Sequence, residues 1–203
     1  MLPSAAAAWG ARFRQGPGVV LRFRAVPLQW GLMVRVEHVL DSWRAIRDDG
    51  AQALLDLPDG DLAYRPCPGV MTFGEIARHI LDTGHALVRL MLDGVRDLEA
   101  PDFRQMLSER RPQVPGDADA AALAGLMRES LEACSEELGR QPEEFYAGMM
   151  TRWDGQRLTR LEMLGWIKEH ELTHRSQLFL YLRLKGVVPV TTRRRLARQR
   201  SPA

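Results

Sequence analysis

Hydrophobic residues recur at helical spacing in four stretches of the chain, and these stretches predict four long helices. In the first stretch the apolar stripe extends from Val36 to Leu54 and stops before Pro58. The sequence contains no strand-like alternation and no internal repeat. The pattern therefore predicts an all-α fold.

Two of the predicted helices begin at a capping box, in which a threonine hydroxyl and a glutamate carboxylate satisfy free backbone amides. Thr72 and Glu75 start the second helix. Thr159 and Glu162 start the fourth and longest helix, which we expect to end before Gly186. Both boundaries are predicted from local hydrogen-bonding chemistry alone.

The third helix is predicted between a cap at Asp117 and Gly139. Residues 94–116 contain three prolines and little periodicity, so we interpret them as a long connection without an element of its own. Residues 142–156 are interpreted as a turn-rich loop. A connection as long as residues 94–116 allows the second and third helices to run in the same direction, which is compatible with a four-helix bundle.

Arginine is concentrated at the two ends of the chain. The first 35 residues contain five arginines and no acid, and the residues from Thr191 onward also contain five arginines and no acid. The remaining 18 basic residues stand against all 26 acidic residues, so the central part is acidic. We expect a flexible extension over residues 1–32, a bundle over residues 33–190 and a basic tail over residues 191–203. The extension alternatively reflects a start codon assigned too far upstream.

Composition narrows the compartment and the partners. Cys67 and Cys134 have neither disulfide-framework nor zinc-ligand spacing, so a reducing cytoplasm is expected. No stretch has the pattern of a secretory signal or of a membrane span. The basic ends lack a groove-reading motif, so we expect no specific nucleic acid and no membrane as partner. A homodimer is one option for the assembly.

Helical geometry separates the five histidines into two groups. On the fourth helix His170 and His174 are about 40° apart and both lie in the apolar stripe. On the second helix His79 lies on the apolar side, whereas His85 is rotated by about 240° toward charged residues. His38 also lies on the polar side of its helix. Three histidines are therefore predicted to point inward.

Inward histidines need partners, because burial of an unpaired polar ring costs free energy. Each ring taken alone is explained by a hydrogen bond to a neighbouring hydroxyl or carbonyl. For all three together we favour a shared metal ion, since two histidines at positions i and i+4 form half of such a site.

Two motifs are similar to those of a known family. The segments Met71–Ile80 and Glu169–Leu178 resemble the second-helix and fourth-helix motifs of the DinB/YfiT family of metalloenzymes. The similarity extends from about Val34 to Pro189, and Ser176 replaces the glycine that is usual in the family's His-Arg-Gly-Gln motif. The family is unrelated to the DNA polymerase that shares the name DinB.

The resemblance implies an up-down-down-up four-helix bundle that binds one divalent metal ion, such as zinc, nickel, iron or manganese. It implies His79, His170 and His174 as the metal ligands, with positions left for water or substrate. It also favours a transferase that uses a low-molecular-weight thiol and an electrophile as its small-molecule partners. The alternatives are a metal-dependent hydrolase and a non-catalytic, metal-stabilised, stress-associated binding bundle.

Four charged residues are further candidates for the site. Glu75 and Asp82 flank the inward histidine of the second helix and could orient a ligand or act as a base, although Glu75 also belongs to the capping box. Glu171 is either a peripheral partner of the ligands or a solvated acid at the helix edge. Arg47 either binds an anionic substrate or extends to water.

Overall fold

Helices account for most of residues 34–200, the part of the chain that the computed structural model describes. The predicted extension of residues 1–32 lies outside the described residues. Four long helices form the bundle, and three short helices and a two-stranded hairpin accompany them. In chain order these elements are α1 (Val36–Leu55), α2 (Phe73–Leu92), α3 (Phe103–Glu109), α4 (Ala120–Gly139), α5 (Glu143–Ala147), β1 (Met149–Thr151), β2 (Arg157–Thr159), α6 (Arg160–Leu184) and α7 (Val190–Arg200).

Both predicted capping boxes are confirmed. The Thr72 hydroxyl accepts from the Glu75 amide at 3.1 Å, and the Thr72 amide donates to the Glu75 carboxylate at 2.6 Å. Thr159 and Glu162 make the same reciprocal pair at the start of α6. A threonine cap of this kind contributes about 1 kcal/mol to helix stability.

Contacts between helices define an up-down-down-up bundle, as the family resemblance implies. Residue numbers rise together across a parallel pair of helices and run oppositely across an antiparallel pair. α1 packs antiparallel to α4 and parallel to α6, whereas α2 packs parallel to α4 and antiparallel to α6. The contacts that establish these directions are Arg44–Glu132 and Asp48–Arg128, Trp43–Glu171 and Asp49–Arg175, His85–Ser130 and Arg89–Glu137, and Met71–Tyr181 and His79–His170.

A polar layer divides the hydrophobic core of the bundle into two clusters. One cluster contains the N-terminal part of α6 with the C-terminal half of α2, and the other contains the C-terminal part of α6 with the N-terminal half of α2. Between the apolar residues Ile167 and Leu178 of α6 lie two histidines, a buried glutamate and an arginine. The chemistry of the chain is therefore concentrated at mid-height in the bundle.

Three predictions about the connections were wrong. Residues 94–116 contain the helix α3, residues 142–156 contain α5, and β1 pairs antiparallel with β2 through Met150 and Leu158. Helix α4 begins later in the chain than predicted. Its N-cap is Asp119 rather than Asp117, because the Asp119 side chain accepts the capping hydrogen bond from the Ala122 amide. Strands of three residues are too short to show alternation, and short helices owe their stability to packing rather than to pattern.

The end of the described chain is a helix where a basic tail was expected. Helix α7 packs against α1, and Arg193 and Arg194 pair with Asp56 and Asp49 at 2.7 and 2.6 Å. Its arginines did not suggest packing because their partners are carboxylates of α1 rather than apolar residues. Within residues 34–200, no helix is long and apolar enough to cross a membrane.

Candidate metal centre

The three inward histidines converge between α2 and α6. His170 Nε2 lies 3.2 Å from His79 Nε2 and 3.1 Å from His174 Nε2. The centroids of the three rings are 4.5 to 5.0 Å apart. The i and i+4 spacing on α6 places two of the rings one above the other, and the antiparallel helix α2 supplies the third.

Hydrogen bonds at Nδ1 orient two of the three rings. Nδ1 of His174 lies 2.8 Å from Oε1 of Gln177, and Nδ1 of His79 lies 3.4 Å from Oγ1 of Thr83. An amide oxygen only accepts, so the proton of His174 is on Nδ1 and its Nε2 presents a lone pair. The Nε2 atom of His174 is therefore an acceptor that faces the other two rings, where a cation would bind.

The environment disfavours protonation of two of these rings, His79 and His170. All three are half-buried. Burial, followed by the charges of His174 and His79, lowers the pKa of His170 to about 4. Burial, followed by the charges of His174 and Arg111, also lowers the pKa of His79. Metal ligands of this type are neutral imidazoles, so the electrostatics match the requirement.

The distances also match the requirement. Two nitrogens at about 2.0–2.1 Å from a tetrahedral zinc ion lie about 3.4 Å apart. Nε2 of His170 lies 3.2 and 3.1 Å from the Nε2 atoms of His79 and His174, and both separations are close to this value. Among residues 34–200, these histidines are the group of three or more potential ligands that could hold a metal ion.

An aromatic cluster borders one side of the centre. The indole of Trp166 stacks on the His170 imidazole with centroids 5.2 Å apart and planes inclined by 21°. Trp153 packs edge-on against Trp166 at 4.7 Å, and Phe103 of α3 stacks on Trp153 at 5.7 Å. The hairpin and α3 are therefore connected to a candidate ligand through three consecutive aromatic contacts.

Comparisons with known proteins identify the family. A sequence model of the DinB superfamily matches residues 42–178, which is more than half of the chain. The chain belongs to the DinB superfamily. No curated protein gives a significant match.

Several solved structures share the fold at low sequence identity. A DinB-like protein from Bacillus subtilis is 20% identical, with a TM-score of 0.57 over 73% of this chain and 92% of its own. YfiT from Bacillus subtilis, a probable metal-dependent hydrolase with an unusual four-helix bundle topology, is 15% identical, with a TM-score of 0.56 over 74% of this chain and 87% of its own. The mycothiol-dependent maleylpyruvate isomerase is 14% identical, with a TM-score of 0.53 over 71% of this chain and 61% of its own.

The other two described histidines lie away from the centre of this DinB-superfamily chain. His38 is exposed, as predicted. The prediction that His85 faces solvent was wrong, because its ring packs against α4 with Nδ1 2.9 Å from Ser130 Oγ and 3.7 Å from Cys134 Sγ. Its bearing on the helix correctly separated it from the three candidate ligands, but that side of α2 is covered by a neighbouring helix. Burial raises the pKa of the Cys134 thiol to about 11.

The alternative in which Arg47 and Glu171 extend to solvent was wrong. Arg47 and Glu171 are each only 2% exposed, and they form an ion pair that Trp43 extends through a hydrogen bond from Nε1 to the carboxylate. Arg47 also donates to the Met127 carbonyl at 2.9 Å. The network joins α1, α4 and α6 inside the bundle, and anion binding by Arg47 stays a prediction. The network was missed because a single helix pattern does not reveal a charge partner on another helix.

The capping role of Glu75 is confirmed, whereas a role of Asp82 at the site stays a prediction. Glu75 acts in its capping box, whose hydrogen bonds to Thr72 lower the pKa of its carboxyl group. Asp82 is half-buried, burial raises its pKa, and its nearest cation is Arg111 at 3.9 Å. Ser176, the departure from the family glycine, is exposed and donates to the Leu172 carbonyl. This substitution therefore lies outside the cluster of imidazoles.

Proposed function

We propose that the protein binds one divalent metal ion through Nε2 of His79, His170 and His174, and that it is a metal-dependent transferase acting with a low-molecular-weight thiol. The observation that carries the proposal is the convergence of three imidazoles, with Nε2 atoms separated by tetrahedral-site distances. Two related folds support it, since one neighbour is a probable metal-dependent hydrolase and another is a mycothiol-dependent isomerase.

The protein's own residues would prepare the site. Gln177 and Thr83 hold two rings with Nε2 facing the centre, and burial lowers the pKa values of His79 and His170, so that protons compete less for these two ligands. A divalent ion held there by three neutral ligands would keep its full charge and lower the pKa of a coordinated thiol or water. Because the histidines are only half-buried, a small molecule can reach the centre. A purely structural zinc site has four protein ligands and does not require such access.

Hydrolysis is the second candidate. It is favoured by the relation in fold to YfiT and by the same donor set, because three histidines and one open position also suit activation of water. The two candidates differ in one requirement, since only the transferase needs a thiol.

Metal binding is tested first. Purified protein should contain or take up one divalent ion per chain, measured by elemental analysis and calorimetric titration. Alanine at any of the three ligands should abolish stoichiometric binding, whereas His38→Ala and His85→Ala serve as matched controls and should retain it. Undiminished binding by the His170→Ala/His174→Ala double variant would contradict the ligand assignment.

The thiol requirement is tested on metal-loaded protein. Several small thiols are combined with several electrophiles, and loss of free thiol is followed with and without chelator. Transfer should depend on the metal and on all three histidines. Metal-dependent turnover of ester or amide substrates without thiol would favour the hydrolase. Metal binding that raises thermal stability without any turnover would favour the structural role.

A further inference from the structure

The three candidate ligands differ in how the structure orients them. Nδ1 of His79 and Nδ1 of His174 each have a hydrogen-bond partner, Thr83 and Gln177. Within the described part of the chain, the hydrogen-bond contacts of His170 involve only its Nε2, which faces the other two rings. His170 therefore lacks the Nδ1 contact that usually fixes the orientation of a metal-binding imidazole.

A stacked indole takes the place of that contact. Trp166 lies four residues before His170 on α6, so one turn of helix brings its indole onto the imidazole, with planes only 21° from parallel. Stacking restricts the tilt of the imidazole plane. It does not select between the two orientations related by a 180° rotation about the Cβ–Cγ bond, which a bound metal ion would select.

Trp166 is itself contacted by two adjacent residues of the hairpin turn. Trp153 packs against it at 4.7 Å, and the guanidinium of Arg152 lies 5.8 Å from its ring centroid. Arg152 in turn is fixed by a bidentate pair with Asp154. Because two residues of the hairpin turn pack against it, the indole has restricted freedom to move and offers a defined surface to His170.

We propose that Trp166 is a positioning residue of the metal centre, which sets the plane of the His170 ring by stacking in place of a hydrogen bond. This inference rests on the proposed function for its metal. It concerns a property of the metal-free protein, namely how the His170 ring is held before a metal ion binds. The β-hairpin then becomes a support of the centre, since it carries the residues that clamp the indole.

The test compares Trp166→Leu with Trp166→Phe, which keeps an aromatic face. Phe179→Leu is the matched control, because it removes an aromatic ring from the same helix within the other hydrophobic cluster. Zinc, nickel and cobalt affinities are measured by titration, and the visible spectrum of the cobalt form reports the ligand geometry. Circular dichroism establishes that each variant is folded.

Trp166→Leu should weaken binding by about tenfold and alter the cobalt spectrum, as is typical for loss of a residue that orients a metal ligand. Trp166→Phe should stay within about threefold of wild type, because it can still stack. Phe179→Leu should match wild type. Wild-type affinity and spectrum in folded Trp166→Leu would overturn the positioning role.

A metal-free measurement separates this inference from the proposed function. In apo protein, the His170 ring protons should carry the ring-current shift of a stacked indole, and Trp166→Leu should remove that shift and change the side-chain couplings. If wild-type protein binds none of the three metals, the proposed function fails and this comparison decides alone. Identical His170 signals in wild type and Trp166→Leu would then overturn the inference.

Discussion

The buried ion pair between Arg47 and Glu171 leads to a quantitative prediction about stability. Both residues are 2% exposed, and the carboxylate accepts hydrogen bonds from Arg47 Nε and Nη2 and from Trp43 Nε1. Glu171→Gln keeps the size of the side chain but leaves a guanidinium in the interior without its counter-charge. Removal of one partner from a buried pair costs about 3–5 kcal/mol, which corresponds to a fall in Tm of about 10 °C for a chain of this length.

The assay is reversible urea and thermal unfolding of metal-free protein, so that metal affinity does not enter. Glu169→Gln is the matched control on the same helix, because Glu169 is exposed, and it should change the free energy of unfolding by less than about 0.5 kcal/mol. The double variant Arg47→Met/Glu171→Leu removes both charges and should recover most of the loss. A cost below about 1 kcal/mol for Glu171→Gln would refute the reasoning, since it would mean that water reaches the guanidinium.

Three further predictions concern packing, pH and the C-terminal helix. Gly84→Ala should destabilise the protein by about 1–3 kcal/mol, because the added methyl group would lie 3.0 Å from the guanidinium of the buried pair. The control Gly125→Ala, whose methyl group would meet open space, should stabilise the protein by about 0.5–1 kcal/mol. Equal effects of the two substitutions in urea unfolding would exclude this explanation. Metal-free protein should lose stability as pH falls from about 6.5 toward 4, because the unfolded His170 takes up a proton near 6.5 and the folded one only near 4; a flat profile of Tm against pH would contradict this. Arg194→Gln removes the ion pair with Asp49 of α1, so it should lower stability by up to about 1 kcal/mol in low salt and by less in high salt. The control Arg195→Gln changes an exposed residue and should leave stability unchanged. Equal losses for both variants would show that the pairing with α1 contributes nothing.

Short-range signals made much of the fold predictable from the sequence. The starts of α2 and α6 follow from a threonine and a glutamate three residues apart, and the inward direction of the histidines follows from the helical repeat. The family resemblance added the order and direction of the helices, which periodicity alone leaves open. Metal binding by the histidines stays a prediction, although their convergence is observed.

Features that depend on two elements at once were not predictable in the same way. The partner of Glu171 is 124 residues away on α1, and no local pattern connects them. The exposure of His85 was misjudged because α4 covers that side of α2. Two contacts of the centre could have been predicted from helical spacing alone. Trp166 precedes His170 by four residues and Gln177 follows His174 by three, so each pair lies on one face of α6.

The separation of the ligands along the chain has a consequence for biosynthesis. His79 and His170 are 91 residues apart, and the second of them lies on the last helix of the bundle. A growing polypeptide, made from its N-terminus at about 5–20 residues per second, passes several seconds with a single histidine of the set available. Binding of the proposed metal ion would therefore follow synthesis of α6, and a prematurely terminated product that ends before His170 would hold one candidate ligand and would not bind the ion.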